Sequence, residues 1–346
     1  MYFYLTIAGV ILFLWLVRKF CNGPLCSKKT PLDWKTVIVT GSSAGIGKET
    51  AFDLIAQGAT VIFACRDEKK TRAVINTLKD PKHRDSAIFM RLDLSSLDSI
   101  VSFVKEFKKN YEELDILINN AGVLNDTFLL QEGIEGTLMS NHIGHKILTL
   151  LLLDKFNKEE ARIINLSSIT HNISDYTIEE LQRLQQNLDF EGEASNYNVK
   201  RSFIQYGNTK LANIYFTQYL AEKLATSHPS IKVSANHPGI VNTEINRFIS
   251  NYHFILKPIM YLLHPFFWLF SKTSYVGAQT TLEYCYEDFQ KLESGVYMQD
   301  CKKHKTSSKA RDEKLKEEFM KYSWMLVDKV THGKTTTQET IKSIMS

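Results

Sequence analysis

The chain has few cysteines, and their spacing indicates neither a disulfide framework nor a metal-binding motif. Five cysteines occur among 346 residues, and no two of them form a Cys-x-x-Cys pair. This usage is typical of a reducing compartment. His142 and His145 lie three positions apart on a predicted helix. No cysteine or carboxylate accompanies them at metal-ligand spacing, so we predict no metal site.

An excess of one charge is also missing. The 42 lysines and arginines nearly balance the 38 acidic residues, which leaves a formal net charge of +4. No basic run is interleaved with aromatic residues, so nucleic acid is not a favoured partner. Internal repeats and low-complexity tracts are absent. With 44% hydrophobic and 23% charged residues, the composition is that of a globular chain with one large core or two small ones.

One uncharged apolar run stands at the N-terminus, over residues 2–17, and Arg18 and Lys19 follow it directly. As a helix it would span about 24 Å, which fits a thin endoplasmic-reticulum membrane. A cleaved signal peptide fits less well, because no basic residue precedes the run. The basic residues after the run put the remaining chain in the cytosol. We therefore predict a transmembrane anchor over residues 1–20, with a catalytic domain that faces the cytosol.

After a linker over residues 21–33, segments typical of strands and helices alternate as far as residue 300. The candidate strands are apolar and rich in β-branched residues, which indicates a parallel sheet covered on both faces. The sequence predicts one α/β domain over residues 34–300, with a doubly wound (Rossmann) sheet of about seven strands. These strands are 37–39, 60–64, 88–92, 116–118, 162–166, 232–235 and 296–298.

A glycine-rich turn follows the first strand and opens a helix. It reads Thr40-Gly-Ser-Ser-Ala-Gly-Ile-Gly47. Glycines at such a turn let backbone N–H groups approach a pyrophosphate at the helix N-terminus. A purely structural turn is the alternative, but the order of strand, turn and helix favours nucleotide binding.

The end of the second strand carries Arg66 where a ribose-binding acid would be sought. An arginine pairs with a 2′-phosphate, which favours NADP over NAD. The alternative is that Arg66 is a surface residue and that Asp67 binds the ribose.

Tyr206 and Lys210 lie four residues apart in a long helical pattern. That spacing puts both side chains on one helix face, where an ammonium can lower the pKa of a phenol. Such a phenol is a candidate acid or base. Taken alone, the pair is weak evidence for catalysis, since this spacing occurs in many solvated helices.

Together these motifs resemble the short-chain dehydrogenase/reductases. The order of motifs over residues 34–300 is that of the family: the glycine turn, Asp93-Leu94, Asn119-Asn-Ala-Gly122, Ser167-Ser168, Tyr206-x-x-x-Lys210 and Pro238-Gly239 followed by Thr243. Within the family the chain looks most like the membrane-bound retinol dehydrogenases. That likeness rests on the N-terminal anchor and on residues 64–67, 140–145 and 237–239.

The resemblance implies a role for each matched position. Tyr206 would exchange the proton, Lys210 would bind the nicotinamide ribose and lower the pKa of Tyr206, and Ser168 would donate to the substrate oxygen. Asn141 would hold a water of a proton relay. The NADP(H) contacts implied are Gly41, Ser43, Gly45, Ile46, Gly47, Arg66, Asp93, Leu94, Asn120, Ala121, Gly122, Tyr206, Lys210, Pro238, Gly239 and Thr243.

Three segments depart from the family pattern or extend it. Ser168 and Tyr206 are unusually far apart, and the segment between them, with a helix that starts at Thr177, is either a wall of the substrate site or a surface elaboration. Residues 247–270 form an apolar lid, with or without membrane contact. Residues 301–346 are predicted to be a charged, solvated tail with a short packing helix.

The predicted function is NADP(H)-dependent interconversion of a lipophilic, retinol-like alcohol and its aldehyde or ketone. Two alternatives stay open: a carbonyl, steroid or fatty-aldehyde reductase of broad specificity, and a non-catalytic NADP-binding membrane scaffold. The expected partners are the lipophilic substrate and the membrane. The sequence is compatible with a monomer and with a homodimer.

Overall fold

The structure is a computed structural model that describes residues 2–186, 188, 190, 194, 197–241 and 269–345. Ten strands occur in these residues: β1 (Thr36–Thr40), β2 (Thr60–Cys65), β3 (Ala87–Arg91), β4 (Ile116–Asn119), β5 (Leu130–Gln131), β6 (Ile134–Glu135), β7 (Ala161–Leu166), β8 (Ile231–His237), β9 (Val296–Gln299) and β10 (Lys302–Lys303). Strands β5 and β6 form a separate antiparallel pair.

The other eight strands make one sheet in the order β10-β9-β8-β7-β4-β1-β2-β3. Within this sheet every neighbouring pair of strands is parallel except one. The exception is the edge strand β10, which pairs antiparallel with β9. The predicted α/β fold and its parallel sheet are confirmed. All seven predicted strands are present, and β10 is the one strand of this sheet that was not predicted, because two exposed lysines carry no apolar signal.

The described helices are α1 (Tyr2–Asn22), α2 (Gly45–Ala56), α3 (Glu68–Ile75), α4 (Pro81–Asp85), α5 (Leu97–Asn110), α6 (Gly136–Leu138), α7 (Gly144–Leu151), α8 (Ile178–Gln186), α9 (Val199–Ser227), α10 (Ser274–Tyr286), α11 (Glu313–Thr331) and α12 (Thr335–Met345). A π-helical turn, Met139–Ile143, joins α6 to α7, and a 3-10 turn, Ile169–Ile173, follows β7.

Alternate residues of each central strand pack on opposite faces of the sheet. Val37 and Val39 belong to the cluster under α2 and α10, whereas Ile38 belongs to the cluster under α5, α7, α9 and α11. Both faces of the strand are therefore dry, which explains its continuous apolar sequence. The order β4-β1-β2 makes β1 the point where the chain changes direction across the sheet, and ligands bind at the carboxyl ends of strands there.

The C-terminal segment differs from its prediction. Instead of a solvated tail with a short helix, it holds the 19-residue helix α11, which buries Phe319, Tyr322 and Leu326 in the main core. Helix α11 packs against α8 and α9. Exposed charged residues such as Lys314 and Glu317 alternate with the buried ones. The apolar face of this amphipathic helix is therefore hard to recognise in the sequence.

The predicted anchor coincides with helix α1. Across the described part of the chain, no helix combines the length and the apolar character needed to cross a bilayer, so the transmembrane prediction is not confirmed. At the end of α1, the Arg18 guanidinium donates hydrogen bonds to the carbonyl oxygens of Leu269 and Ser271. Of the predicted lid, only Leu269 and Phe270 are described, and residues 247–268 lie outside the described residues.

Candidate active site

A cleft of about 480 Å³ opens at the carboxyl ends of β1, β2, β4 and β7. Fifteen of the predicted site residues line it: Gly41, Ser43, Gly45, Ile46, Gly47, Arg66, Asp93, Leu94, Asn120, Ala121, Gly122, Asn141, Tyr206, Lys210 and Pro238. Ser168 and Gly239 are not among the residues that line it, and Thr243 lies outside the described residues. The fold thus brings most of the predicted set into one cavity.

The glycine turn depends on close packing against the turn after β4. A Cβ at Gly47 would lie 2.4 Å from Asn120 Nδ2 and 2.8 Å from the Gly41 carbonyl oxygen, so no larger residue fits there. Gly41 has a φ of +67°, in the left-handed region that favours glycine. The residue that precedes α2, Ala44, makes no side-chain capping hydrogen bond. The first N–H groups of α2 therefore fit a phosphate.

Thr40 joins the two turns. Its Oγ1 accepts the backbone N–H groups of Asn120 and Ala121, each at 2.9 Å. In return, the Asn120 side-chain amide donates to the Thr40 carbonyl at 2.8 Å. These bonds fix both halves of the cleft floor relative to each other.

The rim of the cleft near β2 is basic. Arg66 is exposed there, and Lys70, in the first turn of α3, also lines the cleft. Asp67 Oδ1 accepts the backbone N–H of Lys70 at 2.9 Å and so caps α3. One carboxylate oxygen of Asp67 is thereby engaged by the helix. Sequence reasoning missed Lys70, although its position four residues after Arg66, near a helix start, was a usable signal.

Asp93, which follows β3, also lines the cleft. Its Oδ1 accepts the Ser95 backbone N–H at 3.0 Å and the Ser95 hydroxyl at 2.6 Å. Part of its role is therefore to shape the loop that leads into α5.

Helix α9 carries Tyr206 and Lys210 on one face, as their spacing predicts. The Lys210 Nζ lies 5.2 Å from the centre of the Tyr206 ring and donates to the Leu166 carbonyl oxygen at 3.1 Å. Gly207 lets α9 approach the turn after β7, because a Cβ there would lie 2.6 Å from the Thr170 carbonyl oxygen.

Burial governs the ionisation of this pair. It raises the pKa of Tyr206 above its ordinary value, and it lowers the pKa of Lys210 to about 8. The predicted lowering of the Tyr206 pKa by Lys210 is therefore not found in this structure. The physical reason is that loss of hydration disfavours the phenolate and the ammonium alike, and here it outweighs their attraction.

The Asn141 side chain is held by the backbone. Its Oδ1 accepts the Val123 N–H at 2.8 Å, and its Nδ2 donates to the Val123 carbonyl at 2.9 Å and to Thr209 Oγ1 at 3.2 Å. Gly122 lies between the two polar groups: a Cβ there would be 3.5 Å from Lys210 Nζ and 3.8 Å from Asn141 Oδ1.

The two serines after β7 have different partners. The Ser167 hydroxyl donates to the Lys210 carbonyl at 2.8 Å and is buried. Ser168 Oγ accepts the Thr170 N–H at 3.3 Å, which leaves its hydroxyl hydrogen to donate elsewhere. His171 Nδ1 lies 2.7 Å from the Ser168 carbonyl oxygen and fixes the backbone at this position.

The segment between Ser168 and Tyr206 contains helix α8, and the Thr177 hydroxyl oxygen accepts the Glu180 N–H at 3.2 Å near its start. Helix α8 packs against α11. No described residue between positions 169 and 205 is among those that line the cleft. The described part of this segment therefore forms no wall of this cleft, and its Leu181 and Leu184 pack in the main core.

The doubly wound sheet and the cleft at its switch point define an α/β protein with a dinucleotide-type site. A family model for the short chain dehydrogenases matches residues 35–176. Retinol dehydrogenase 12 of Mus musculus is 36% identical over 90% of this chain and 92% of its own length. Retinol dehydrogenase 13 of the same organism is 33% identical over 92% of this chain and 91% of its own length. The chain belongs to the short-chain dehydrogenase/reductase family and to its retinol dehydrogenase-like group.

Solved structures show the same fold. A protein of Mycobacterium paratuberculosis superposes with a TM-score of 0.66 at 25% identity, over 88% of this chain and 98% of its own. A short-chain dehydrogenase of Shigella flexneri, complexed with NADP, has a TM-score of 0.54 at 20% identity, over 79% and 99%.

The lowered pKa of Lys210 predicts that replacing this residue stabilises the fold at neutral pH. In the folded chain Lys210 loses its proton near pH 8 instead of 10.5, so holding it charged below pH 8 costs stability. At about 1.4 kcal/mol for each pH unit, the cost is about 3 kcal/mol. Loss of the bond to Leu166 offsets about 1 kcal/mol of this. We expect Lys210→Met to raise the free energy of unfolding by about 2 kcal/mol at pH 7.

This gain should shrink between pH 8 and 10.5, because the folded wild type is then already neutral at Lys210 while the unfolded chain still binds the proton. Urea unfolding at pH 7 and pH 10 measures both values. Lys314→Met, at an exposed lysine of α11, is the control and should change neither. A Lys210→Met variant that is less stable than wild type at pH 7 would contradict the burial argument.

Proposed function

We propose that this protein is an NADP(H)-dependent oxidoreductase that interconverts a lipophilic, retinol-like alcohol and its carbonyl form. The observation that carries the proposal is a single cleft in which an uncapped helix N-terminus and two basic side chains lie at one end and the Tyr206–Lys210 pair at the other. The family membership supports the reaction class, and the names of the retinol dehydrogenase relatives support the substrate class.

The residues of the chain divide the chemistry among them. When bound, the nicotinamide supplies or accepts the hydride. The Ser168 hydroxyl donates to the substrate oxygen, and the Tyr206 hydroxyl gives that oxygen a proton in reduction or takes one in oxidation. A neutral Tyr206, which burial favours, is the form that donates in reduction. Charged Lys210 next to the ring stabilises the phenolate that reduction leaves behind.

The mouth of the cleft supports a lipophilic substrate. Ile169 and Ile173, in the turn after Ser168, are 47% and 48% exposed, and Ile240, shortly after Pro238, is 66% exposed. Strands β7 and β8 pair with Leu166 opposite Asn236, so these segments leave the sheet at the same edge. Exposed aliphatic side chains around a polar site suit an apolar ligand.

A carbonyl reductase of broad specificity is the second candidate, and an NADP-binding scaffold without turnover is the third. The open, aliphatic mouth would admit sterols or fatty aldehydes as well as retinoids. Against a scaffold stands the joint presence of Ser168, Tyr206 and Lys210, since cofactor binding alone needs no acid.

Removing the basic side chains at the rim should weaken the binding of NADPH and leave the binding of NADH unchanged. A charge-assisted hydrogen bond contributes about 1.5–3 kcal/mol, so Arg66→Ala should reduce NADPH affinity about 10- to 100-fold. Lys70→Ala should show a smaller loss of the same sign. Quenching of cofactor fluorescence measures both dinucleotides on the same variants, and NADH serves as the internal control. Equal losses for the two cofactors would show that Arg66 does not contact the 2′-phosphate.

Tyr206→Phe should abolish turnover and preserve cofactor binding. Proton transfer by a positioned side chain contributes about 10²- to 10⁴-fold, so kcat should fall by that factor while NADPH affinity changes little. The assay is reduction of a panel of retinoid, steroid and short soluble aldehydes or ketones. Preference for the retinoid supports the first candidate, and similar rates across the panel support the second. A wild type that binds NADPH but reduces none of the panel would favour the scaffold.

We further propose that helix α1 attaches the protein to the endoplasmic-reticulum membrane with the catalytic domain in the cytosol. The support is its exposed apolar side chains: Phe13 is 64%, Trp15 54% and Phe20 88% exposed. Such a run of large apolar groups on one element is unfavourable in water.

Flotation with phosphatidylcholine vesicles tests this attachment. Phe13→Glu combined with Trp15→Glu should release the protein from the vesicles. Trp34→Glu, at a tryptophan 96% exposed just before β1, is the matched control and should float like wild type. In cells, a glycan on the exposed acceptor Asn172 would place the domain in the lumen and contradict the proposed orientation.

A further inference from the structure

His145 is a buried histidine of helix α7 that touches both the cofactor cradle and a predicted catalytic residue. It is 2% exposed. Its Nε2 lies 2.9 Å from Thr40 Oγ1, and its Nδ1 lies 3.1 Å from the backbone carbonyl oxygen of Asn141. Neither contact was anticipated from the sequence, where His145 and His142 were weighed as a metal pair.

The surroundings fix which ring nitrogen of His145 donates and which accepts. Burial is the main cause that lowers the pKa of His145, to about 4, so the ring is neutral at physiological pH and has one donor and one acceptor. A carbonyl oxygen can only accept, so Nδ1 donates to Asn141. Nε2 is then the acceptor. The Thr40 hydroxyl donates to it at 2.9 Å and has the Ile118 carbonyl oxygen as a second, longer acceptor at 3.3 Å. The lone pairs of Thr40 Oγ1 accept the N–H groups of Asn120 and Ala121.

The network therefore adds a second link between two parts of the site, which the Asn141 side chain also joins through the Val123 backbone. At one end are the turns after β1 and β4, which form the floor of the cofactor cleft. At the other end is the π-helical turn that contains Asn141, where the N–H of Gly144 bonds the Met139 carbonyl five residues earlier. The Asn141 side chain is already engaged by Val123, so its backbone carbonyl is the group that His145 orients.

We propose that His145 is a positioning residue that couples occupancy of the cofactor turns to the geometry of Asn141, whose side-chain oxygen faces Lys210 Nζ across Gly122. This inference rests on the proposed oxidoreductase function. A shift of the Asn120–Ala121 turn on cofactor binding moves Thr40 Oγ1, and the neutral imidazole passes that movement to the Asn141 carbonyl. Cofactor binding thereby completes the arrangement around Lys210.

His142 offers a matched control on the same helical run. It is equally buried, but its Nδ1 lies 3.1 Å from Asn213 Oδ1 and its Nε2 lies 2.9 Å from Ser323 Oγ of α11. The two histidines thus point in different directions, one to the C-terminal helix and one to the cofactor turn. Replacing His142 removes a buried histidine without touching the Thr40–Asn141 link.

The kinetic test compares three replacements of His145. His145→Phe removes both contacts, and misplacement of the site should lower kcat about 10- to 100-fold with NADPH affinity within about threefold. His145→Asn keeps an N–H donor at the Nδ1 position and should recover most of the lost kcat. His145→Gln keeps a polar group near Thr40 only and should recover little. Equal losses for all three, or a kcat of His145→Phe within about twofold of wild type, would overturn the proposal.

Amide hydrogen exchange provides a readout that does not need turnover. NADPH should protect residues 41–47 and 139–146 in wild type and in His142→Asn. In His145→Phe it should protect residues 41–47 alone. Unchanged protection of residues 139–146 in His145→Phe would overturn the proposal.

Failure of the proposed function appears separately, as a wild type that binds neither NADPH nor NADH. In that case, the hydrogen-exchange rate of the Val123 amide in the cofactor-free protein tests whether His145 positions Asn141, because this N–H is bonded to Asn141. It should exchange faster in His145→Phe than in His142→Asn. Equal rates in the two variants would mean that His145 is only a buried structural histidine.

Discussion

The close approach of the turn after β1 to the turn after β4 is the constraint on which the site depends. Gly47 has no room for a side chain because the Asn120 amide occupies that space, and the Asn120 amide is there because it donates to the Thr40 carbonyl. Parallel strands with both faces covered can bring two such turns together only at their carboxyl ends. The uncapped start of α2 and the position of Gly122 beside Lys210 both follow from this packing.

The second constraint is dehydration. A site that excludes water strengthens every later electrostatic contact, but it also disfavours charge before a ligand arrives. Lys210 is held where its charge costs stability, and Tyr206 is held where its phenolate is disfavoured. Such stored cost is common at functional sites, since the groups are placed for the reaction and not for the stability of the empty protein. An anion bound in the cleft would offset part of the cost of holding the Lys210 ammonium away from water.

Much of the fold could be predicted from the sequence because the central strands are buried on both faces and appear as short β-branched runs. The glycine turn and the Tyr206–Lys210 spacing are local patterns, and each appears where local reasoning put it. Helix α11 was underestimated because its charged residues are about as frequent as its buried apolar residues, and only contact with α8 and α9 distinguishes the two faces. The direction of the Tyr206 pKa could not be predicted either. It depends on how completely the fold removes water, which no spacing reveals. Likewise, the contact of His145 with Thr40, 105 residues away along the chain, exists only in the tertiary structure.

Helix α11 also has a consequence for how the chain reaches its native state. Phe319, Tyr322 and Leu326 belong to the same core cluster as Ile38 and Ile62 of the first two strands, although some 280 residues separate them. Domains fold as units during synthesis, from the N-terminus onward. Here translation must reach α11 before the parts of α8 and α9 that pack against it can be covered. Termination before α11 would therefore leave exposed the part of the core that Phe319, Tyr322 and Leu326 cover.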